Sequence, residues 1–421
     1  MKLNPILNAS LVFLGLSAPA LTGASPSART LDFPLIQELL ERHAPTSVEA
    51  LLEQLKDPAR TALSSEDRDA LFQSWVAIYQ SKSRHQASME HPRFLLRSSN
   101  GRFLLAFATL PKSQQFHTVE LIQQNPVTRR WDFAEIQFDP SGMVPGTFRS
   151  AGSGSDARSC TQCHQGHPLW HSYRLWPGAF KSNDDETQPE SKEGIAKDAL
   201  ITKIDSRKEP RTQTLGTALF FQEGPPTTNT EFSITLGMAN FDRVAKLLVQ
   251  SPNFRNYRFA LLATLQTNPR CMTELESFLP ESVRKASHPK SYANLLAETK
   301  KAHAQYYSDR KEQLGENAPD SSSERGDIEA ENAYRTAGLR YLAQGLGLKR
   351  PDEQPENWSL SPTPGVFAFE TGLGGIEHLT TPLLREWAER KLPLHNPRKE
   401  TCEALKQASL GAFAPAAAPK K

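Results

Sequence analysis

The chain has 421 residues, 38% of them hydrophobic, and a formal net charge of +2. That length supports a sizeable core in one large or two modest domains. The near-neutral charge, with basic residues scattered rather than striped, argues against a nucleic-acid interface.

In chain order, residues 1–24 read as a secretory signal peptide. Lys2 gives a short positive start, and Ile6 to Leu16 forms an apolar run too short to span a bilayer. Ala18-Pro19-Ala20 and Thr22-Gly23-Ala24 offer small residues for cleavage. No cysteine follows the run to take a lipid anchor, and no later segment approaches the apolar length of a membrane span. The expected location is therefore periplasmic or secreted.

Residues 29–90 read as N-terminal helices. Thr46-Ser47-Val48-Glu49 has capping-box form ahead of Leu51, Leu52 and Leu55. Ser65 and Asp67 open a further helix whose apolar face is Leu71, Phe72, Trp75, Val76 and Tyr79.

Residues 91–140 change period. Arg93 to Leu96 and Phe103 to Phe107 flank Asn100-Gly101, a strong hairpin signal. His117 to Ile122 and Trp131 to Phe138 supply two more strands. The alternation of Phe133, Glu135 and Gln137 with Ala134, Ile136 and Phe138 predicts a sheet with one wet face. The fold class expected is α+β, mainly helical, with a four-stranded antiparallel meander ahead of residues 141–190.

A Gly/Ser-rich stretch, Ser150 to Ser155, leads into Cys160-Thr161-Gln162-Cys163-His164. This spacing is the attachment signature of a c-type haem. Two thiols about one helical turn apart can reach the two vinyl groups on one porphyrin edge. His164 then falls under the iron as the proximal ligand. One covalent haem c is the cofactor expected. Trp170, Tyr173 and Trp176 could shield the porphyrin edge from water, or simply be core. Arg158, Arg174 and Lys181 could pair with haem propionates or stand in solvent. His167 and His171 lie too near His164 to cross to the opposite haem face. Asp184, Asp185 and Glu186 read as a solvated loop.

Residues 191–313 read as helical, with Phe241, Val244, Leu247 and Leu248 marking one face and Tyr257, Leu261 and Leu265 another. Met238 is the candidate distal iron ligand in this region, with Met143, Met272 and Met89 behind it. Residues 314–332 are polar and read as a linker, 333–413 as C-terminal helices interrupted by a loop-rich section, and 414–421 as a disordered tail. Cys271 and Cys402 remain. In an oxidising compartment an even remainder suggests a bridge between them, two separate buried thiols being the alternative.

The five-residue motif resembles the cytochrome c superfamily. The stretch from Cys160 to Trp176-Pro177-Gly178, with Phe369-Glu370-Thr371-Gly372 and Cys402 to Lys406, is similar to a group of uncharacterised exported bacterial proteins with a single such motif. The chain is several times longer than small cytochromes c, and it sets a β meander rather than an amphipathic helix before the motif.

The expected function is one-haem, single-electron transfer, with no motif naming the redox partner. The alternative is a haem enzyme or ligand sensor with an open distal face, for example peroxide-reducing. Chain length favours it, and the single motif weighs against it. A zinc site on Cys160, Cys163, His167 and His171 would need closure across three intervening residues, a strained arrangement. A thiol–disulfide catalyst on Cys160 and Cys163 lacks the surrounding βαβ pattern.

Overall fold

The computed structural model describes residues 28–80, 86–150, 178–180, 191–216, 228–266, 272–314, 324–349 and 399–414. Their architecture is α+β. Four N-terminal helices come first. In α1 (Phe33–His43) the Asp32 carboxylate accepts from the Leu35 N–H at 2.9 Å, and Ala44 closes the helix in the left-handed region. The Ser47 hydroxyl, one residue past the Thr46 of the sequence motif, accepts from the Ala50 N–H to start α2 (Val48–Lys56). After the single turn α3 (Pro58–Thr61), Ser64 caps α4 (Ser65–Gln73).

The sheet has six strands, not four. These are β1 (Val76–Ile78), β2 (Arg93–Arg97), β3 (Phe103–Ala108), β4 (Thr118–Gln124), β5 (Trp131–Gln137) and β6 (Thr147–Ser150), antiparallel and in sequence order. The helical spacing of the sequence places Val76 on the apolar face of the preceding helix. Trp75, Val76 and Tyr79 continue the spacing of Leu71 and Phe72, but α4 stops at Gln73. Val76, Ala77 and Ile78 are buried on both faces, a pattern that spacing alone does not separate from helix. At the β2–β3 hairpin Gly101 has φ +67°, and a Cβ there would sit 2.8 Å from the Thr235 carbonyl oxygen.

The first face of the sheet carries Phe94, Leu96, Phe103, Leu105, Phe107, Val119, Leu121, Ala134 and Ile136. It packs on α1, α2, α4 and α5 (Lys192–Asp205). The Trp75 indole, fully buried in this core, donates to the Gly216 carbonyl at 2.8 Å. Arg211 staples the same layer. Its guanidinium meets Glu49 at 2.8 Å, donates to the carbonyls of Ala108 and Phe116, and lies 3.6 Å from the Phe116 ring centroid.

The second face is dry over β1 to β3 and open at its far edge, where Gln137, Thr147 and Arg149 are exposed. Val76, Ile78, Leu95, Leu104 and Ala106 form a second cluster with Phe232 and Leu236 of α6 (Thr228–Gln250). Glu135, expected in water, is only 8% exposed. Arg97 ties α6 down. Its side chain is 3% exposed, meets Glu231 at 2.6 Å and donates to the carbonyls of Ser98 and Ser99. Burial works against its charge, and Glu231 offsets that.

Beyond its sheet-packed half, α6 enters a helical core through Ala245 and Leu248. The other members are α7 (Phe254–Gln266), a 3₁₀ turn (Leu275–Phe278), α8 (Glu281–Ser287), α9 (Tyr292–Leu314), α10 (Glu324–Leu346) and α11 (Lys399–Ala412). α10 begins inside the stretch whose composition reads as a linker, because Glu, Ala and Arg there favour helix. Among the described residues no helix is long and apolar enough to cross a membrane.

His288 is built into this core. It stacks on Tyr341 at 4.3 Å, and its Nε2 and the Tyr257 hydroxyl share a hydrogen bond at 2.9 Å. Burial pushes its pKa down to about 4, against opposing effects of the Tyr341 backbone and Glu276. Between the ordinary value near 6.5 and about 4, the unfolded chain binds a proton that the folded chain refuses. Stability should therefore fall as pH drops through that window and level off below it. The expected loss is about 2 kcal/mol, short of the full linkage value because the ring is partly shielded by water. Urea unfolding of wild type and His288→Phe across pH 7 to 4 checks this, since the variant should lack that part of the slope.

Candidate functional site

Cys160, Cys163 and His164 lie in residues 151–177, outside the described residues, as do Arg158, His167, Trp170, His171, Tyr173, Arg174 and Trp176. Lys181 and residues 184–186 lie outside them as well. Met238 is on α6, but its side chain is outside the described residues. Met272 is 1% exposed in the helical core, and Met89 packs on the first-face core. Met143 is 84% exposed on the β5–β6 connection. Of these three described side chains, only Met143 offers an exposed thioether.

The described residues that flank the motif-bearing stretch are Ser150 and Gly178. Ser150 is the last residue of β6, which forms one edge of the sheet. Gly178 lies against β1 at the opposite edge. The Gly178 carbonyl accepts from the Tyr79 N–H at 2.7 Å and the Gln80 N–H at 3.0 Å, and the Phe180 N–H donates to the Ala77 carbonyl at 3.0 Å. Ala179 packs into the second-face cluster and Phe180 into the first-face core, so consecutive side chains anchor on opposite sides of one edge. Phe180 also meets the Tyr79 ring at 4.9 Å. The Tyr79 hydroxyl is 3.1 Å from Glu193, and burial together with that carboxylate raises its pKa.

Gly178 has φ +80°, and a Cβ would fall 2.6 Å from the Gln80 carbonyl oxygen. Gly178→Ala should therefore cost at least about 2 kcal/mol through strain and the displaced β1 contact. A urea unfolding midpoint measures this.

Across the second face, one register line runs Val76, Leu95, Ala106, Glu120, Glu135, Arg149. Two carboxylates face each other on β4 and β5. Arg93 ion-pairs with Glu120, and Arg149 stands opposite Glu135. Sequence reasoning missed this group. Its only signal was Glu135 within the β5 alternation, which fits a solvated face equally well.

Cys402, on α11, is disulfide-bonded. α11 packs on α7 and the 3₁₀ turn, the two elements that flank position 271. Cys271 itself lies outside the described residues. Among the described residues no group of three or more His, Cys, Asp or Glu side chains could hold a metal ion. No family model matches this chain, and neither does any curated protein or solved structure.

Proposed function

We propose that this chain is an exported one-haem c-type cytochrome that passes single electrons. The observation that carries the reading is Cys160-x-x-Cys163-His164, two thiols and an imidazole in the order that haem attachment requires. Two further features support it. The N-terminus has the pattern of an export signal, and Cys402 is oxidised, as expected of a protein matured outside the cytoplasm. We read Cys271 as the partner of Cys402, which leaves the thiols of Cys160 and Cys163 for the porphyrin.

The donor set fits the group. Cys160 and Cys163 would hold it through thioethers, and His164 would bind the iron with one ring nitrogen. When bound, it would supply a one-electron ferric–ferrous couple. A peroxide-reducing or ligand-sensing haem protein is the second reading. Chain length favours it, as does the core packing of Met272.

The test is expression with a cytochrome c maturation system, followed by haem staining after denaturation and intact mass. A protein with the mass of bare polypeptide rejects both haem readings. A low-spin spectrum unmoved by cyanide and carbon monoxide rejects the second.

A further inference from the structure

We propose that a cleft between the β2–β3 hairpin and the C-terminal turns of α6 binds a small monocarboxylate that carries a short hydrocarbon chain. The cleft measures about 450 Å³, within the range of small-molecule sites. Among the described residues it is lined by Arg102 of the hairpin and by Asp242, Ala245, Lys246, Val249 and Gln250 of α6. These residues belong neither to the haem motif nor to the arginine–carboxylate row of the second face.

The fold builds the two walls separately. Asp242, Ala245, Lys246 and Val249 recur every three or four residues, so they share one helix face. Opposite them, Gly101 brings the hairpin against α6. Its missing Cβ lets the backbone approach the Thr235 carbonyl, about two turns before Asp242. Arg102 is then held at both backbone groups. Its N–H donates to Asn100 Oδ1 at 2.9 Å, and its carbonyl accepts from the Gln124 N–H at 2.8 Å. The Gln124 side chain in turn donates to the Ala239 carbonyl of α6 at 3.2 Å. Arg102 is thus placed before any ligand arrives, which lowers the ordering cost of binding.

The charge of the cleft favours an anion. Arg102 Nη2 and Lys246 Nζ converge on one atom, Asp242 Oδ2, at 2.5 and 2.7 Å. Two cations share one carboxylate, so the cleft keeps a single net positive charge. The acid is the covered member, 17% exposed, while the Arg102 and Lys246 side chains are 38% and 35% exposed. The buried Arg102 Nε has no acceptor among the described residues. A bridge that only tied the hairpin to the helix would use its donors, whereas this one leaves N–H groups over. An arginine fork beside an ammonium suits a carboxylate, whose one charge matches the surplus, and a dianionic phosphate overshoots it. The apolar part of the ligand is specified by Val249, 50% exposed one turn beyond Lys246, and by Ala245 in the same lining.

Isothermal titration calorimetry of the full chain tests this with sodium octanoate, and with acetate and inorganic phosphate as headgroup controls. The proteins are wild type, Lys246→Gln and Val249→Glu, both positions being partly exposed on α6, and circular dichroism checks that each variant is folded. The expected result is saturable octanoate binding at one site per chain, roughly tenfold weaker in Lys246→Gln and undetectable in Val249→Glu. Acetate and phosphate should each bind wild type at least about tenfold more weakly than octanoate. No saturable octanoate binding to wild type, or binding unchanged in either folded variant, overturns the proposal. Acetate or phosphate binding as tightly as octanoate overturns it as well. Should one variant not fold, the other decides by the same comparison.

Discussion

If Cys160 and Cys163 carry the haem as proposed, replacing both by serine will yield a colourless protein. On that reading both thioethers go at once, and His164 alone would have to retain a diffusible porphyrin. Haem content per chain should fall by well over about tenfold. Haem staining in a denaturing gel and intact mass read the loss directly. Cys163→Ser alone keeps one tether and should give a partly loaded product. His164→Ala keeps both tethers, so the haem stays attached while its spectrum changes as the proximal nitrogen is lost. Far-ultraviolet circular dichroism of each variant checks that the fold is kept. A coloured, covalently loaded double serine variant would falsify the attachment reading outright.

Arg211→Met will destabilise the protein by about 3–5 kcal/mol, the cost of removing one partner of a buried ion pair. The Arg211 side chain is 3% exposed, and its hydrogen bonds reach Glu49 and two backbone carbonyls. Methionine fills much of the same volume but leaves those acceptors without a donor. Burial pushes the Glu49 carboxyl up, and the charge and hydrogen bond of Arg211 more than cancel that, holding its pKa below the ordinary value. The pair's contribution is therefore present above the ordinary carboxylate range and disappears as pH falls through the depressed value. The variant should lose stability most at neutral pH and least in acid. Urea midpoints at pH 7 and pH 4 give the comparison. Arg211→Lys, which keeps the charge but not the fork, should fall between.

The parts of this fold written in short stretches of sequence were legible there. Asn100-Gly101 specified the hairpin, and the alternation that sets Ala134, Ile136 and Phe138 on one side survives as burial in the first-face core. β1 escaped because three apolar residues buried on both sides carry no alternation. β6 escaped because four residues after a Pro/Gly connection are too few to show a period. The face bearing Phe133 and Glu135 was misjudged for a different reason. Whether a polar residue on a strand meets water depends on a layer supplied from far along the chain, and local alternation is blind to that. The candidate site divides in the same way. Its two sulfurs and imidazole can be read from five consecutive residues, whereas the arginine–carboxylate row on the second face exists only once the five strands β2 to β6 are in register.

α6 has one half on the sheet, through Phe232 and Leu236, and the other in the helical core, through Ala245 and Leu248. A 23-residue helix is about 34 Å long, enough to act as a shared beam. A gene cut ahead of Thr228 would strip the cover from Val76, Leu95 and Leu104 and leave a greasy sheet prone to clumping, while the remaining half would inherit a helix with a bare apolar flank. Neither piece could be shuffled into another protein as a free-standing module, so the two halves have to be inherited, expressed and melted together.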